Sequence, residues 1–354
     1  MRELKLALLG FGNAGQAFGR MLLEHEEEII KTYDTRVKVT AIATGTRGNL
    51  VCSDGIDLQK ALDDLNVEQG GSGKFTDETA LSTMSSMEIV EYADYDVLVE
   101  MTPLNIFTGQ PAISHIEGAF NRGKHAVTAN KGPIAWAYRR LRDMAKGAGV
   151  QFYYETTVMD GTLVFNLVEH TLKMTKVTEV SGILNSTTNF ILEELEAGAE
   201  YEDIMARGRA MGFIEADPAM DIEGYDAAAK ITALLNVLMD AGITPDMVDR
   251  KGIEDITLDD IRSAAERGKV IKLLCRGVRL EDGSVKATVK PEEVDRNDML
   301  ASVNSTTSVV SITTNLMKKV SVVEHEPEIE QTAYGVFGDV LRVVEACVKL
   351  AEKE

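Results

Sequence analysis

Residues 4–15 read LKLALLGFGNAG. The first six form an apolar run, interrupted only by Lys5, that ends at Gly10. A strand buried on both faces reads this way. Gly10-Phe11-Gly12-Asn13-Ala14-Gly15 then fits G-x-G-x-x-G. That pattern is informative where it follows a strand and opens a helix, which is the placement here. Gly10 permits the tight turn, Gly12 lets a pyrophosphate approach the backbone, and Gly15 lets the helix pack close to the strand. The helix N-terminus offers free N–H groups and a partial positive charge to phosphates. A plain glycine-rich turn is the competing reading, and the strand-to-helix placement speaks against it.

Working outward, a helix is predicted from about Gly15 to Ile30, and 37–43 (VKVTAIA) alternates like a second strand. Residues 96–101 (DVLVEM) read as a third strand, followed by a helix through roughly 110–122. HAVTAN at 125–130 reads as a fourth, followed by a helix through roughly 134–147. Alternating strands and helices predict an α/β, doubly wound Rossmann-type sheet. Residues 66–79 are a Gly- and Ser-rich loop. The GSGK within it lacks the remaining phosphate-loop residues, since Glu68 and Phe75 stand in their places. From about residue 150 the pattern changes to an α+β one. Strands are predicted at 152–158, 175–184, 269–280, 284–290 and 307–313, with helices at 161–172, 188–197, 201–211 and 225–240. A last helix spans about 333–352.

With 354 residues there is room for two modest cores, and 44% hydrophobic with 27% charged residues is ordinary for a folded chain. The formal net charge of −20 argues against nucleic acid as a partner, because an acidic surface repels phosphate backbones. No window reaches the ~20 apolar residues that span a bilayer, so no membrane partner is expected. Cys52, Cys275 and Cys347 form no metal or disulfide pattern, and a reducing, cytoplasmic setting is expected.

A dinucleotide fold that prefers NAD usually carries an acid at the end of its second strand. Here that end reads Ala43-Thr44-Gly45-Thr46-Arg47-Gly48, with no acid. Arg47 could instead meet a 2′-phosphate, so NADP is favoured and NAD is possible. Lys131 closes the fourth strand, on the carboxyl edge where ligands sit. The second constellation is ARGRAMGFIEADPAMDIEGYDAAAKI at 206–231. Asp226 and Lys230 are one helical turn apart and share a face. Small and apolar neighbours, Ala227, Ala228, Ala229 and Ile231, predict a buried helix. A buried Lys beside a carboxylate suits proton transfer. A solvated helix salt bridge is the plainer reading. A calcium loop does not fit the spacing.

These motifs resemble homoserine dehydrogenase. GFGNAG (10–15) and TANK (128–131) look like its cofactor motifs. SGILNSTTNFIL (181–192) and GFIEADPAMDIEGYDAAAK (212–230) look like its substrate and catalytic signatures, and QTAYGVFGDV (331–340) resembles its C-terminal return to the cofactor domain. The resemblance implies a 1–150 dinucleotide-binding domain, a 151–315 α+β substrate and dimerisation domain, and a 316–354 segment returning to the first. The form would be short, without an appended regulatory domain, and homodimeric. L-Homoserine and L-aspartate 4-semialdehyde would be interconverted with NAD(P).

Lys230 would move the proton, with Asp226 orienting it. Glu215, Asp221, Asp226 and Thr187 would hold the substrate. Gly10, Phe11, Gly12, Asn13, Ala14, Gly15, Arg47, Thr102 and Gly212 would line the dinucleotide, and Lys131 would lie near nicotinamide and substrate. Glu155, Val158, Asp160 and Thr162 would hold a monovalent cation such as sodium. Ser186 stands where the family carries Gly, so a larger group would face the pocket. A related dehydrogenase of another small amino acid or aldehyde, or a dinucleotide sensor without turnover, are the alternatives. The Asp226–Lys230 pair argues against a sensor, which needs no acid–base group.

Overall fold

Strand β1 (Arg2–Leu9) is the middle of the first sheet, and Leu6, Ala7, Leu8 and Leu9 on it are fully buried. A computed structural model describes residues 1–212, 214 and 217–351 of the chain. The described chain forms two units. The first holds Met1–Pro133, Ala137–Gly161 and the C-terminal stretch from Glu328; the second holds Ile134–Trp136 and Thr162–Pro327.

In the first unit, β1 is followed by α1 (Asn13–Glu24), α2 (Glu26–Tyr33) and β2 (Thr35–Ala43). The single helix predicted over 15–30 is two helices that meet at His25. Glu26, Glu27 and Glu28 follow that break, and acids are favoured in the first turn of a new helix, where the dipole is positive. Next come β3 (Asn49–Val51), α3 (Leu58–Leu65), β4 (Leu81–Ser82), α4 (Ser86–Tyr92) and β5 (Val97–Glu100). Then α5 (Ala112–Asn121), β6 (His125–Thr128), α6 (Lys131–Ala148) and β7 (Phe152–Tyr153) complete the sheet.

Among the described residues it has seven strands in the order β4-β3-β2-β1-β5-β6-β7. The pairs β2–β1, β1–β5, β5–β6 and β6–β7 are parallel, while β3 and β4 add an antiparallel edge. This is the doubly wound α/β sheet expected from the glycine fingerprint. The strand predicted over 152–158 is cut to two residues. A 3-10 turn takes over at Glu155–Thr157, because Asp339 Oδ2 accepts the Glu155 N–H at 2.9 Å in place of a ladder partner.

The second unit starts with α7 (Phe165–Thr171), β8 (Val177–Ile183), α8 (Ser186–Glu196), α9 (Tyr201–Ala210), α10 (Ala219–Ile222) and α11 (Tyr225–Met239). It continues through β9 (Asp249–Arg250), α12 (Leu258–Glu266), β10 (Lys269–Arg279), β11 (Val285–Asp295), β12 (Ser308–Thr314) and β13 (Lys318–Glu324). Its sheet, in the order β13-β12-β8-β10-β11-β9, is antiparallel except for β11–β9, so the unit is α+β. α11 is apolar nearly all round, and Ala227, Ala228, Ala229, Ile231, Ala233, Leu234 and Leu235 are buried against β8, β10 and β11. Strand β13 was not anticipated. Its polar, half-exposed face gives a weak apolar signal, and its pairing with β12 along seven residues defines it.

The last helix, α13 (Ile329–Ala351), belongs to the first unit, where Val336, Val340, Val343 and Val344 are buried beside α1. Among the described residues, no helix is long and apolar enough to cross a membrane.

Candidate active site

The strand order of the first sheet reverses at β1, with β2 on one side and β5 on the other. In open α/β sheets the crevice beyond the carboxyl ends of such strands is where ligands bind. The glycine turn lies there. Gly10 has φ +95°, and a Cβ on it would stand 2.3 Å from the Met101 carbonyl oxygen, so this position admits only glycine. A Cβ on Gly15 would meet the Gly10 carbonyl oxygen at 2.7 Å, as expected of the residue that packs helix on strand. Gly12 differs from both. Its φ is −78°, and a Cβ there would meet nothing within 4 Å. The fold itself does not require glycine at 12, but a pyrophosphate approaching the backbone would. The residues therefore fit a dinucleotide.

Other predicted cofactor residues cluster at this edge. Asn13 and Ala14 open α1, and Phe11 is buried with its ring 6.2 Å from that of Phe75. The Arg47 guanidinium donates to the Phe11 carbonyl at 3.1 Å, which ties the loop after β2 to the glycine turn. Thr102 follows β5. Its carbonyl accepts from Asn130 Nδ2 at 3.0 Å, and Asn130 caps α6 by accepting the Gly132 N–H at 2.9 Å. Lys131, half-buried, is the first residue of that helix. Gly212 belongs to the second unit, after α9, with φ +82°.

The second unit gathers the acid–base candidates. Gly224 ends the turn after α10 in a left-handed conformation, and α11 starts with Tyr225 and Asp226. Lys230 Nζ is 3.3 Å from Asp226 Oδ2 and donates to the Leu184 carbonyl at 2.8 Å. The Asn185 amide donates to Asp221 Oδ1 at 2.7 Å and to Asp226 Oδ2 at 3.1 Å. Burial, then the neighbouring Asp226 charge, raises the Asp221 carboxyl above its ordinary range. Asn185, Lys230 and Thr187 pull it back. Thr187, Asp221, Asp226 and Lys230 are thus brought together. Glu215 lies outside the described residues. Below α11, burial pushes the Cys275 thiol up to about 12, so it stays protonated and is no nucleophile.

Two residues at this cluster escaped sequence reasoning. Asn185 caps α8 through Thr188 N–H at 2.9 Å and bridges the two aspartates with its other end. The helix predicted over 188–197 starts too late to mark Asn185 as its cap, and the contact with Asp221 and Asp226 spans 36 and 41 residues. Arg250, on β9, donates to the Glu223 carbonyl and stacks 3.7 Å from the Tyr225 ring centroid, which braces the turn carrying Asp221 and Asp226. No local signal marks a contact across 25 residues.

Of the predicted cation residues, Glu155, Val158 and Asp160 lie in the first unit and Thr162 begins the second. Glu155 is buried beside Asp339, whose carboxyl is raised to about 7, chiefly by burial and also by the Glu155 charge. Asp160 accepts from the Thr332 hydroxyl at 2.5 Å, and the Thr162 hydroxyl donates to Glu324 at 2.7 Å.

Family models settle the kinship. One described as homoserine dehydrogenase matches residues 164–341, and one described as homoserine dehydrogenase, NAD binding domain, matches 10–155. The chain belongs to the homoserine dehydrogenase family. A homoserine dehydrogenase of Methanocaldococcus jannaschii is 36% identical, with 98% of this chain and 100% of that protein covered. An NAD(+)-dependent homoserine dehydrogenase of Pseudomonas canavaninivorans is 32% identical, with 99% of each covered. The crystal structure of a putative homoserine dehydrogenase from Archaeoglobus fulgidus superposes with TM-score 0.83 at 30% identity, over 96% of this chain and 99% of that one. As a member of the homoserine dehydrogenase family, the chain is an NAD(P)-dependent oxidoreductase of a small-molecule substrate. The reading as another dehydrogenase or a sensor gives way to this one.

Proposed function

We propose that the chain interconverts L-homoserine and L-aspartate 4-semialdehyde with Lys230 as the acid–base residue. The observation that carries this is the Lys230–Asp226 pair at 3.3 Å, set beside Asp221 and bridged by Asn185. The bound nicotinamide supplies or accepts the hydride. Lys230 gives its proton to the forming alkoxide during reduction and takes it back during oxidation. Asp226 orients the ammonium. Asp221, with Glu215 and Thr187, binds the amino acid end of the substrate, and Lys131 attends the reacting end. Oxidation needs a neutral amine at Lys230, so the initial rate of homoserine oxidation should climb from neutral to alkaline pH. A rate that falls over that range would contradict the assignment.

NADP is the preferred dinucleotide in this reading. The loop after β2 carries no acid, and the Arg47 guanidinium lies at the glycine turn, 3.1 Å from the Phe11 carbonyl. The printed name of the Pseudomonas relative makes NAD the second reading. Arg47→Ala should lower kcat/KM for NADP by about 10-fold or more, as loss of a charge-assisted phosphate contact does, and leave that for NAD within about twofold. An unchanged ratio would mean that Arg47 does not read the 2′-phosphate.

A monovalent cation such as sodium fits near Glu155, Val158 and Asp160. Glu155 and Asp339 are buried acids side by side, and the buried Thr156 hydroxyl has no hydrogen-bond partner among the described residues. Sodium should raise the melting temperature relative to choline at equal ionic strength; equal melting in both salts would remove the site. A cytoplasmic homodimer completes the picture, and light scattering should give twice the 38.7 kDa chain mass. A single-chain mass would contradict it.

A further inference from the structure

A carboxylate that the proposed chemistry does not use lies behind the dinucleotide edge of the first unit. Glu100, the last residue of β5, is 0% exposed. Its Oε1 accepts the Thr102 backbone N–H at 3.1 Å and also the Thr102 hydroxyl. The same oxygen is 3.6 Å from Nδ1 of His115 on α5, itself 1% exposed, and His115 Nε2 is 2.9 Å from Ser86 Oγ. Glu100 Oε2 and His115 Nδ1 are buried without a hydrogen-bond partner among the described residues. Burying a carboxylate so deeply is costly, and a glutamate at a purely structural position would be better replaced by an apolar side chain.

What the carboxylate holds explains its place. Thr102 forms the wall opposite the glycine turn, since a Cβ on Gly10 would lie 2.9 Å from the Thr102 nitrogen. The Thr102 carbonyl takes the Asn130 amide at 3.0 Å, and Asn130 caps the helix that Lys131 opens. The Thr128 hydroxyl, from the neighbouring strand, donates to the Glu100 carbonyl at 3.2 Å. The Glu100 side chain thus holds Thr102, whose backbone meets both the glycine turn and the cap of α6. A hydrogen-bonded charge can lock a backbone segment in this way because its acceptor strength is high inside a low-dielectric interior.

We propose that Glu100 is a positioning residue for the dinucleotide, acting through Thr102, with His115 as its buried companion. The proposal rests on the reading of this edge as the cofactor site. The test is a double-mutant cycle on dinucleotide affinity, measured by fluorescence titration of the full chain with NADP and NAD. Glu100→Gln and Thr102→Val should each weaken the better-bound dinucleotide by about tenfold, the size expected for one charge-assisted hydrogen bond. The double variant should be no weaker than about tenfold, because both changes weaken the same Glu100–Thr102 link. Thr102→Ser, which keeps the hydroxyl, should recover most of the affinity lost in Thr102→Val.

Additive losses in the double variant would overturn the proposal. So would a Glu100→Gln variant with normal affinity and only a lower melting temperature. If Glu100→Gln does not fold, the contrast between Thr102→Val and Thr102→Ser decides, since Thr102 is half-buried, valine replaces only its hydroxyl, and serine keeps that hydroxyl. Equal affinity in those two would refute the link. A parent protein that binds neither dinucleotide would defeat the cofactor reading itself, and the proposal with it.

Discussion

Lys230→Ala is expected to lower kcat by about 10²–10⁴-fold in either direction while the protein remains folded, the range usual for loss of a positioned general acid–base group. The fold should tolerate the change for a local reason. Lys230 sits in the middle of α11, whose inward face is already built from Ala227, Ala228, Ala229 and Ile231. Alanine is the best helix former, so the helix loses nothing intrinsic. Asp226, left without its lysine, keeps the Asn185 amide at 3.1 Å. Lys230→Arg separates chemistry from charge. It preserves a cation beside Asp226 but cannot act as a base, because a guanidinium does not lose its proton in a protein. Both variants should therefore be slow, with circular dichroism melts close to the parent. Near-normal turnover in Lys230→Arg would refute proton transfer by this residue.

Gly12→Val is expected to weaken dinucleotide binding by about 10²-fold or more, with the first unit intact, because close approach of the pyrophosphate to the backbone is lost. The contrast with Gly10 gives this prediction its force. Gly10 is held by its own fold, at φ +95° and against the Met101 carbonyl, so any side chain there disturbs β1 and β5 together. Gly12 has an ordinary φ of −78° and open space at its Cβ position. Valine at this helix N-cap should cost no more than about 1 kcal/mol of stability. Dinucleotide titration with a thermal melt on the same sample reads both quantities. An affinity within twofold of the parent would mean that the phosphates do not pass over Gly12.

Much of the first unit was legible because the fingerprint and the buried strands carry their meaning locally. LKLALLGFGNAG names a strand, a turn and a helix within twelve residues, and the strand-helix alternation after it implies the parallel sheet. The Asp226–Lys230 spacing was equally local, being one turn of one helix. What escaped was set by contacts between distant segments. The break at His25 was hidden because Ile29 and Ile30 continue the apolar spacing of α1, while the acid run that starts a new helix reads as mere surface. The strand expected at 152–158 stops early because Asp339, 184 residues away, takes the N–H of Glu155. Glu100 looks like a polar end to an apolar strand until α5 brings His115 against it. Arg250 and Asn185 gained their roles in the same way, from partners that periodicity cannot name.

The most direct test of the account is the nicotinamide absorbance of the purified protein over time, with L-homoserine and either NADP or NAD at alkaline pH. Reduction is expected to require homoserine, to fail with L-serine and L-threonine, and to be faster with NADP. No reduction of either dinucleotide by a folded protein that binds both would contradict it.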